Sequence, residues 1–533
     1  MRKFPYFISA CVFAGALLAP AGMTQAAGPQ GTVYQFTVPK QGGMYADATY
    51  YCWLPNNVGT VRTIIVHQHG CTREGDAQQM MSDVQWLSLA KKWHAVFIAP
   101  KLITGGPSDG STKCNNWDDI ANGSGNTYLA ALDTLARRAS HPEIKTVPWA
   151  LWGHSGGAFW ITAMTGAHPE RVAVAVAQAG SADISNVPGA LKVPLLHHDG
   201  KKDMVYNGVP FAAGRKKGAL WAFAVNPFPL WVNTPSNPGW SDEVFGHAPH
   251  DMRMIAIPWI EAGLQARLPD QAGSAQLKDM DTTKFWLGDT VTYAIGSAAD
   301  FTGNRSIASW FPDESFAKRW KEYMVIGTQK DSTQPPSPYN LAGSYSNKQL
   351  KLTWDSDADL ETGIKTFIIY RNGTPLTTLQ YNTTTLFTKA TGFQRWNDGD
   401  NPAPAPAPTM TYTDNNLSDA TTYTYQISTV NWSDVAGPKS QVLTLQGGQV
   451  TVGVQAPLPS ANPASRKSSV FCWGSGACKV SLAAGPVDIC DVRGTLLKSL
   501  DLPQASLLDV GNLAGAGAPR MLIIRSGHSV RNR

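Results

Sequence analysis

Charge is scarce in this 533-residue chain: Asp, Glu, Lys and Arg make up 16% of it, against about 25% in an average globular protein. The 44 basic residues outnumber the 39 acidic ones by only five. That excess is too thin, and too free of Lys/Arg runs, to hold a nucleic acid. Cysteine is sparse as well, seven in all with no C-x-x-C among them, so a zinc ribbon is excluded. Beyond the N-terminus no long apolar run occurs, which excludes a polytopic membrane protein. What the chain has instead is glycine and proline, 49 and 36 residues, together with 43% hydrophobic residues. That composition suits large cores built from short elements and many turns, and the length suggests three or four domains at roughly 150 residues each.

The one greasy stretch runs from about Phe4 to Leu18, behind Arg2 and Lys3 and ahead of Thr24-Gln25-Ala26-Ala27. A charged start, an apolar core too short to span a bilayer and a small-residue end predict a signal peptide over residues 1–27. Secretion to the cell surface or beyond follows, with no integral membrane segment after cleavage. Such a compartment permits disulfides. Cys11 leaves with the signal; Cys52, Cys71, Cys114, Cys472, Cys478 and Cys490 remain.

Between residues 28 and 330, apolar β-type runs alternate with helical patterns. Strands are predicted at Thr63 to Val66, Ala95 to Ala99, Val147 to Trp152, Val172 to Ala177, Val193 to Leu196 and Ala219 to Val225. Helices are predicted at Tyr128 to Leu135, Phe159 to Thr165 and Asp251 to Arg267, the last bent at Pro258. This alternation predicts a mostly parallel sheet with helices on both faces. After Gln334-Pro335-Pro336 the texture turns to short alternating strands rich in Thr, Tyr and Asn, which predicts a β-sandwich over residues 335–446. Residues 447–469 read as a linker, and residues 470–533 as a small β-rich module that serves for sorting or binding.

Gly153-His154-Ser155-Gly156-Gly157 is a G-x-S-x-G between a predicted strand and a predicted helix. Small neighbours suit a nucleophile on a strained turn, and the following helix turns its positive end toward a developing oxyanion. A serine needs a base, and the base an orienting acid, in the chain order Ser, Asp, His. Asp203, in Asp199-Gly200-Lys201-Lys202-Asp203 after a late strand, is the expected acid, with Asp199 as its rival. His247 after Gly246 is the expected base, with His250 as its rival. The backbone N–H groups of Gly156 and of Cys71, or alternatively Thr72, would form the oxyanion hole. Trp152, Trp160 and His154 flank the serine as substrate-pocket candidates, the two tryptophans having core packing as their ordinary role. The Pro- and aromatic-rich stretch from Phe211 to Gly239 is placed to cover the cleft. His67 and His69 lack a third ligand, so neither a metal nor another cofactor is expected.

Three resemblances follow from these residues. Val66-His67-Gln68-His69-Gly70-Cys71-Thr72, then Cys114-Asn115-Asn116-Trp117, then the serine elbow resemble the esterase/polyhydroxybutyrate-depolymerase branch of the α/β hydrolases, which includes feruloyl and acetyl xylan esterases. The likeness covers most of Thr63 to Ala182 and departs at the elbow, where His154 and Gly156 replace a commoner Leu-Ser-Ala-Gly pattern. It implies an α/β-hydrolase fold, a Cys71–Cys114 disulfide worth roughly 4 kcal/mol in loop entropy, and hydrolysis of carboxylic esters. Trp354, Gly363, Ile369-Tyr370-Arg371 and Leu417 with Tyr423 resemble a fibronectin type III domain. Val487 to Leu497 with Met521 to Arg525 looks like the sorting-type β-domains of some secreted bacterial enzymes. The function expected is a secreted serine ester hydrolase on a polymeric substrate, a polysaccharide acyl ester or a polyester. A serine peptidase of the same fold and an inactive adhesive or carbohydrate-binding protein are the alternatives.

Overall fold

The structure is a computed structural model. It describes residues 28–71, 74–105, 116–200, 204–226, 249–327, 329–379 and 410–453, and beyond these only the course of six C-terminal strands. The expected signal peptide, Thr72, Cys114, Asp203 and His247 lie outside the described residues. Two compact units divide at Gly453/Val454.

In the first unit, eight strands form one sheet: β1 (Gly31–Val38), β2 (Ala48–Pro55), β3 (Thr63–Gln68), β4 (Ala95–Lys101), β5 (Trp149–His154), β6 (Val172–Gln178), β7 (Leu195–Gly200) and β8 (Trp221–Asn226). Their spatial order is β1-β2-β4-β3-β5-β6-β7-β8. Strands β3 to β8 run parallel, with Ile65 beside Phe97 and Ala150 and with Leu196 beside Val176 and Ala222. Strands β3, β5 and β6 are buried along their whole length, as a parallel sheet covered on its faces requires. The helices are α1 (Asp76–Gln79), α2 (Val84–Lys92), α3 (Ser124–Ala139), α4 (Gly156–Ala167), α5 (Met204–Lys216) and α6 (Pro249–Arg267). A mostly parallel eight-stranded sheet of this order fits the α/β-hydrolase fold. The six expected strands all lie in it. The antiparallel β1–β2 pair was not foreseen, because GTVYQFTV mixes exposed and buried positions without strict alternation.

A three-stranded sheet, β9 (Trp286–Gly288), β10 (Ile295–Ser297) and β11 (Ser309–Phe311), and helix α7 (Glu314–Ile326) cover the open edge at β8. There Ser309 Oγ accepts from Phe223 N at 2.9 Å and Trp320 Nε1 donates to Phe223 O at 2.7 Å. An unpaired edge strand is thereby satisfied by side chains.

Two antiparallel sheets follow. One holds β12 (Tyr339–Ser346), β13 (Gln349–Asp355) and β16 (Thr411–Asp414); the other holds β14 (Thr366–Arg371), β15 (Thr374–Leu379), β17 (Tyr423–Val430), β18 (Leu443–Gln446) and β19 (Gln449–Val452). Leu350, Leu352 and Trp354 of the first sheet and Phe367, Ile369, Tyr425 and Ile427 of the second share one apolar core. Tyr423 OH accepts from the backbone N–H of Ser418 at 3.2 Å. Strand β19 lies where a linker was expected from residue 447. Gly447 and Gly448, at φ 56° and 75°, form the turn of a β18–β19 hairpin; consecutive glycines read as flexible spacer, yet they also suit a two-residue hairpin turn.

Helix α2 joins these sheets to the part built on the eight-stranded sheet. Val84 belongs to the second core, Ala358 N donates to Ser88 Oγ at 2.8 Å, Gln85 Nε2 donates to Leu360 O at 3.3 Å, and Lys91 meets Asp357 at 2.7 Å. In the second unit β20 (Lys467–Cys472), β25 (Leu522–Gly527), β22 (Gly485–Asp491) and β23 (Leu496–Leu502) form one antiparallel sheet, and β21 (Lys479–Leu482) pairs with β24 (Ser506–Asp509). No helix among the described residues is long and apolar enough to cross a membrane.

Candidate active site

Ser155 sits between β5 and α4 at the carboxyl edge of the parallel strands, with φ 52° and ψ −120°. A non-glycine residue in that conformation is strained and persists only when its surroundings hold it. They do: Ser155 N donates to Gln178 O at 2.8 Å, and Ser155 O accepts from Ala158 N and Phe159 N at 2.9 and 3.2 Å. The motif glycines are required by close approach. A Cβ on Gly153 would fall 2.3 Å from Gly157 O, and one on Gly157 would fall 2.4 and 2.5 Å from the carbonyl oxygens of Gln68 and His69. The turn can therefore lie flat against the end of β3. Gly156 N opens the twelve-residue helix α4, where an unpaired N–H and the helix dipole favour negative charge.

The loop after β3 reaches the serine. A Cβ on Gly70 would lie 3.4 Å from Ser155 Cβ and 2.9 Å from His154 Nδ1. His69 anchors this loop, its Nδ1 lying 2.6 Å from Gly70 O while its Nε2 accepts Leu102 N–H at 3.0 Å. Burial pushes its pKa down to about 4, so the ring is neutral. A neutral imidazole that accepts at Nε2 must donate from Nδ1. Glu74 adds a second tie by accepting Thr104 N–H at 2.7 Å. The ring of Trp117 packs edge-on against His69 at 5.2 Å, so the two sequence segments that carried the resemblance meet in space. Cys71, half-buried beside Gly70, is disulfide-bonded; its expected partner Cys114 lies outside the described residues.

The remaining candidates divide. Trp152 and Trp160 are buried in the main core, Trp152 stacked on His67 at 4.1 Å and Trp160 donating to Ser124 Oγ at 3.1 Å. His154 is 4% exposed. His67 is held far below its ordinary pKa by burial and then by the Arg253 charge. The expected cover from Phe211 to Gly239 needs correction at its start. Phe211 lies in α5 and Trp221 to Val225 in β8, both in the core, because their apolar periodicity serves the sheet. The rest of that stretch lies outside the described residues.

Asp199 is fully buried near the end of β7, where Asn207 Nδ2 donates to its Oδ1 at 2.5 Å and to Ala177 O at 3.3 Å. The position of Asp203 follows β7 in the chain, that of His247 lies between β8 and α6, and His250 falls in the first turn of α6. Sequence reasoning missed Phe159. It is half-buried, and a Cβ on Gly180 would meet its ring at 3.0 Å and Ser155 O at 2.8 Å. Its spacing four residues after the serine, on the first turn of α4, was the available signal.

Among the described residues, Asp331, Asp359 and Glu361 bring carboxylate oxygens within 4.8 Å of one another. Asn431 Nδ2 donates to both aspartates at 3.1 Å and Thr362 Oγ1 donates to Asp331 at 2.9 Å. Hydrogen-bond donors thus already meet these carboxylates, and they lie on the loops of the antiparallel sheets rather than at the elbow.

No protein-family model and no curated protein sequence matches the chain. Among solved structures, a thermostable esterase is similar at 14% identity and a TM-score of 0.31, over 43% of this chain and 62% of its own length, so the chain spans less than two thirds of it. A serine-to-alanine mutant of the feruloyl esterase module from Clostridium thermocellum, complexed with sinapinate, is similar at 10% identity and a TM-score of 0.28, over 38% of this chain and 82% of its own. An S-formylglutathione hydrolase from Agrobacterium tumefaciens is similar at 15% identity and a TM-score of 0.27, over 38% and 88%. Overlap at this level assigns no activity.

Proposed function

We propose that this chain is a secreted serine hydrolase of carboxylic esters that acts on an extracellular polymer, a polysaccharide acyl ester or a polyester. The observation that carries the reading is Ser155 at φ 52°, held between β5 and α4 beside the loop after β3. His247 removes the proton of Ser155 Oγ as the oxygen attacks the acyl carbonyl, and Asp203 orients the imidazole and stabilises its charge. The N–H groups of Gly156 and Cys71 receive the oxyanion. His247 then protonates the leaving alcohol, and water, activated by the same imidazole, releases the acid and restores the serine. Supporting this assignment, Ser155 directly follows β5, and β7 and β8, after which Asp203 and His247 come in the chain, belong to the same parallel sheet.

The Cys71–Cys114 pair belongs to the same proposal and brackets the loop that carries the second oxyanion donor. A fibronectin type III-like character for residues 335–446 is supported by the shared core of the two sheets and by the Tyr423–Ser418 bond. The C-terminal module serves attachment or sorting outside the cell.

A fluorophosphonate label mapped by mass spectrometry tests the assignment, alongside soluble chromogenic esters, peptidyl amides and acetylated or feruloylated polysaccharides. Label on Ser155, and turnover abolished in Ser155→Ala with an unchanged thermal transition, are expected. Asp203→Asn should depress the rate by about four orders of magnitude and Asp199→Asn by far less. An unlabelled Ser155 in a folded protein refutes the reading.

A further inference from the structure

The strained serine is fastened through a buried polar chain that ends on helix α7. Gln178, the last residue of β6, receives the Ser155 N–H on its backbone oxygen at 2.8 Å. The next residue, Ala179, has φ 51°, so a second strained non-glycine position faces the first across that bond. Its N–H donates to His198 O at 2.9 Å. The side-chain oxygen of Gln178 meets His198 Nδ1, and His198 Nε2 lies 2.8 Å from Tyr323 OH. Gln178, His198 and Tyr323 are all fully buried.

The proton directions follow from chemistry. An amide oxygen only accepts, so Nδ1 carries the hydrogen, and the neutral ring's Nε2 accepts from the tyrosine hydroxyl. Burial holds the imidazole down to about 3, which keeps it neutral at any working pH. Buried polar chains whose members are bonded to one another define a single arrangement. This one sets the end of β6, whose carbonyl in turn sets Ser155.

We propose that His198 and Tyr323 are positioning residues for the nucleophile: through Gln178 they hold β6 where its carbonyl keeps Ser155 in its strained, attack-ready conformation. Neither touches the substrate. The inference rests on Ser155 being the nucleophile, and its test separates the two ideas.

The measurement is the rate at which a fluorophosphonate modifies Ser155 in the full-length protein, together with kcat and KM on a soluble ester. Tyr323→Phe removes a single oxygen, the hydroxyl that meets His198 Nε2. Labelling rate and kcat should fall between about 10- and 100-fold, the scale of a small misplacement of reacting groups, while KM stays within about twofold on the same reasoning. Gln178→Met, which keeps the volume and loses the acceptor, should do the same. Both are read per folded molecule below the thermal transition. Equal labelling and kcat in wild type and Tyr323→Phe, with only the melting temperature lowered, would overturn the proposal and leave the chain a structural strut. A rise in KM matching the whole loss would overturn it too, by placing the effect in substrate binding. Failure of wild type itself to label refutes the nucleophile assignment instead.

Discussion

Removing one guanidinium, in Arg253→Met, should unsettle both α2 and α6. Arg253 on α6 meets Asp83 through two contacts, Nη2 to Oδ2 at 2.8 Å and Nη1 to Oδ1 at 3.0 Å, with side chains 3% and 0% exposed. Asp83 is also the N-cap of α2, accepting from Gln85 N and Trp86 N at 3.1 Å each. The substitution keeps apolar volume but takes the guanidinium charge away from a carboxylate that is wholly inside the protein. Breaking such a pair from one side costs about 3–5 kcal/mol, a large fraction of the 5–15 kcal/mol typical of a whole domain. At about 2–4 °C per kcal/mol for 150–250 residues, and less for a larger unit, this is a drop in Tm of several degrees. Calorimetry or urea unfolding reads the loss. The double variant Asp83→Asn with Arg253→Met should recover part of it, because the amide still caps α2 without a stranded charge. Because α6 begins just after the chain position of His247, turnover of a soluble ester should fall as well. A loss below about 1 kcal/mol, or strict additivity in the cycle, would show that solvent reaches the pair and that the reasoning from burial is wrong.

Acid should destabilise the fold well before its carboxylates titrate. His67, His69, His197 and His198 are buried and held below their ordinary pKa by lost hydration, the last three to about 4, 4 and 3. Between pH 6.5 and about 4 the unfolded chain binds protons the fold refuses, so stability drops as pH falls, by about 1.4 kcal/mol per unit for each ring. Asp359, pushed up to about 8 by burial and by Asp331, works in the opposite sense between about pH 4 and 8, as does Asp118, raised by burial, but the four rings outnumber them. A Tm that is flat from pH 7 to 4.5 would contradict this. Gly157→Ala places a methyl against two backbone oxygens that cannot swing aside; at least a 100-fold loss of kcat is expected, on the order of a 1 Å displacement at the elbow, and wild-type kinetics would disprove it. Ending the chain at Gln334 strips the cover from Val84 and the partners from Gln85, Ser88 and Lys91. Turnover of a small soluble ester should then fall together with Tm, whereas an unchanged rate would mean that the antiparallel sheets act only as a tether.

Much of the sheet and of the serine turn is local and therefore visible in the chain. The six strands β3 to β8 read as apolar runs because a doubly covered parallel sheet needs unbroken burial. The serine turn reads as glycines because backbone oxygens lie where a Cβ would have to go. Other parts are visible only as composition. Trp152 and Trp160 flank the serine in sequence and still enter the core, since strand and helix direction, not sequence distance, decides which face a side chain takes. Strand β1 escapes because an edge strand carries mixed burial. Gly447-Gly448 resembles spacer until β18 and β19 pair around it.

By itself the sequence determined the elbow and the apolar segments that must become a sheet, because each depends on residues a few positions apart. Only the tertiary structure decided that His69 would anchor the loop beside Ser155, that His198 and Tyr323 would brace β6, and that Asp83 would pair with Arg253 170 residues away. Those contacts arise where packing excludes water: a buried donor or charge must find its partner there wherever in the chain it lies, and no short-range pattern announces which one it will be.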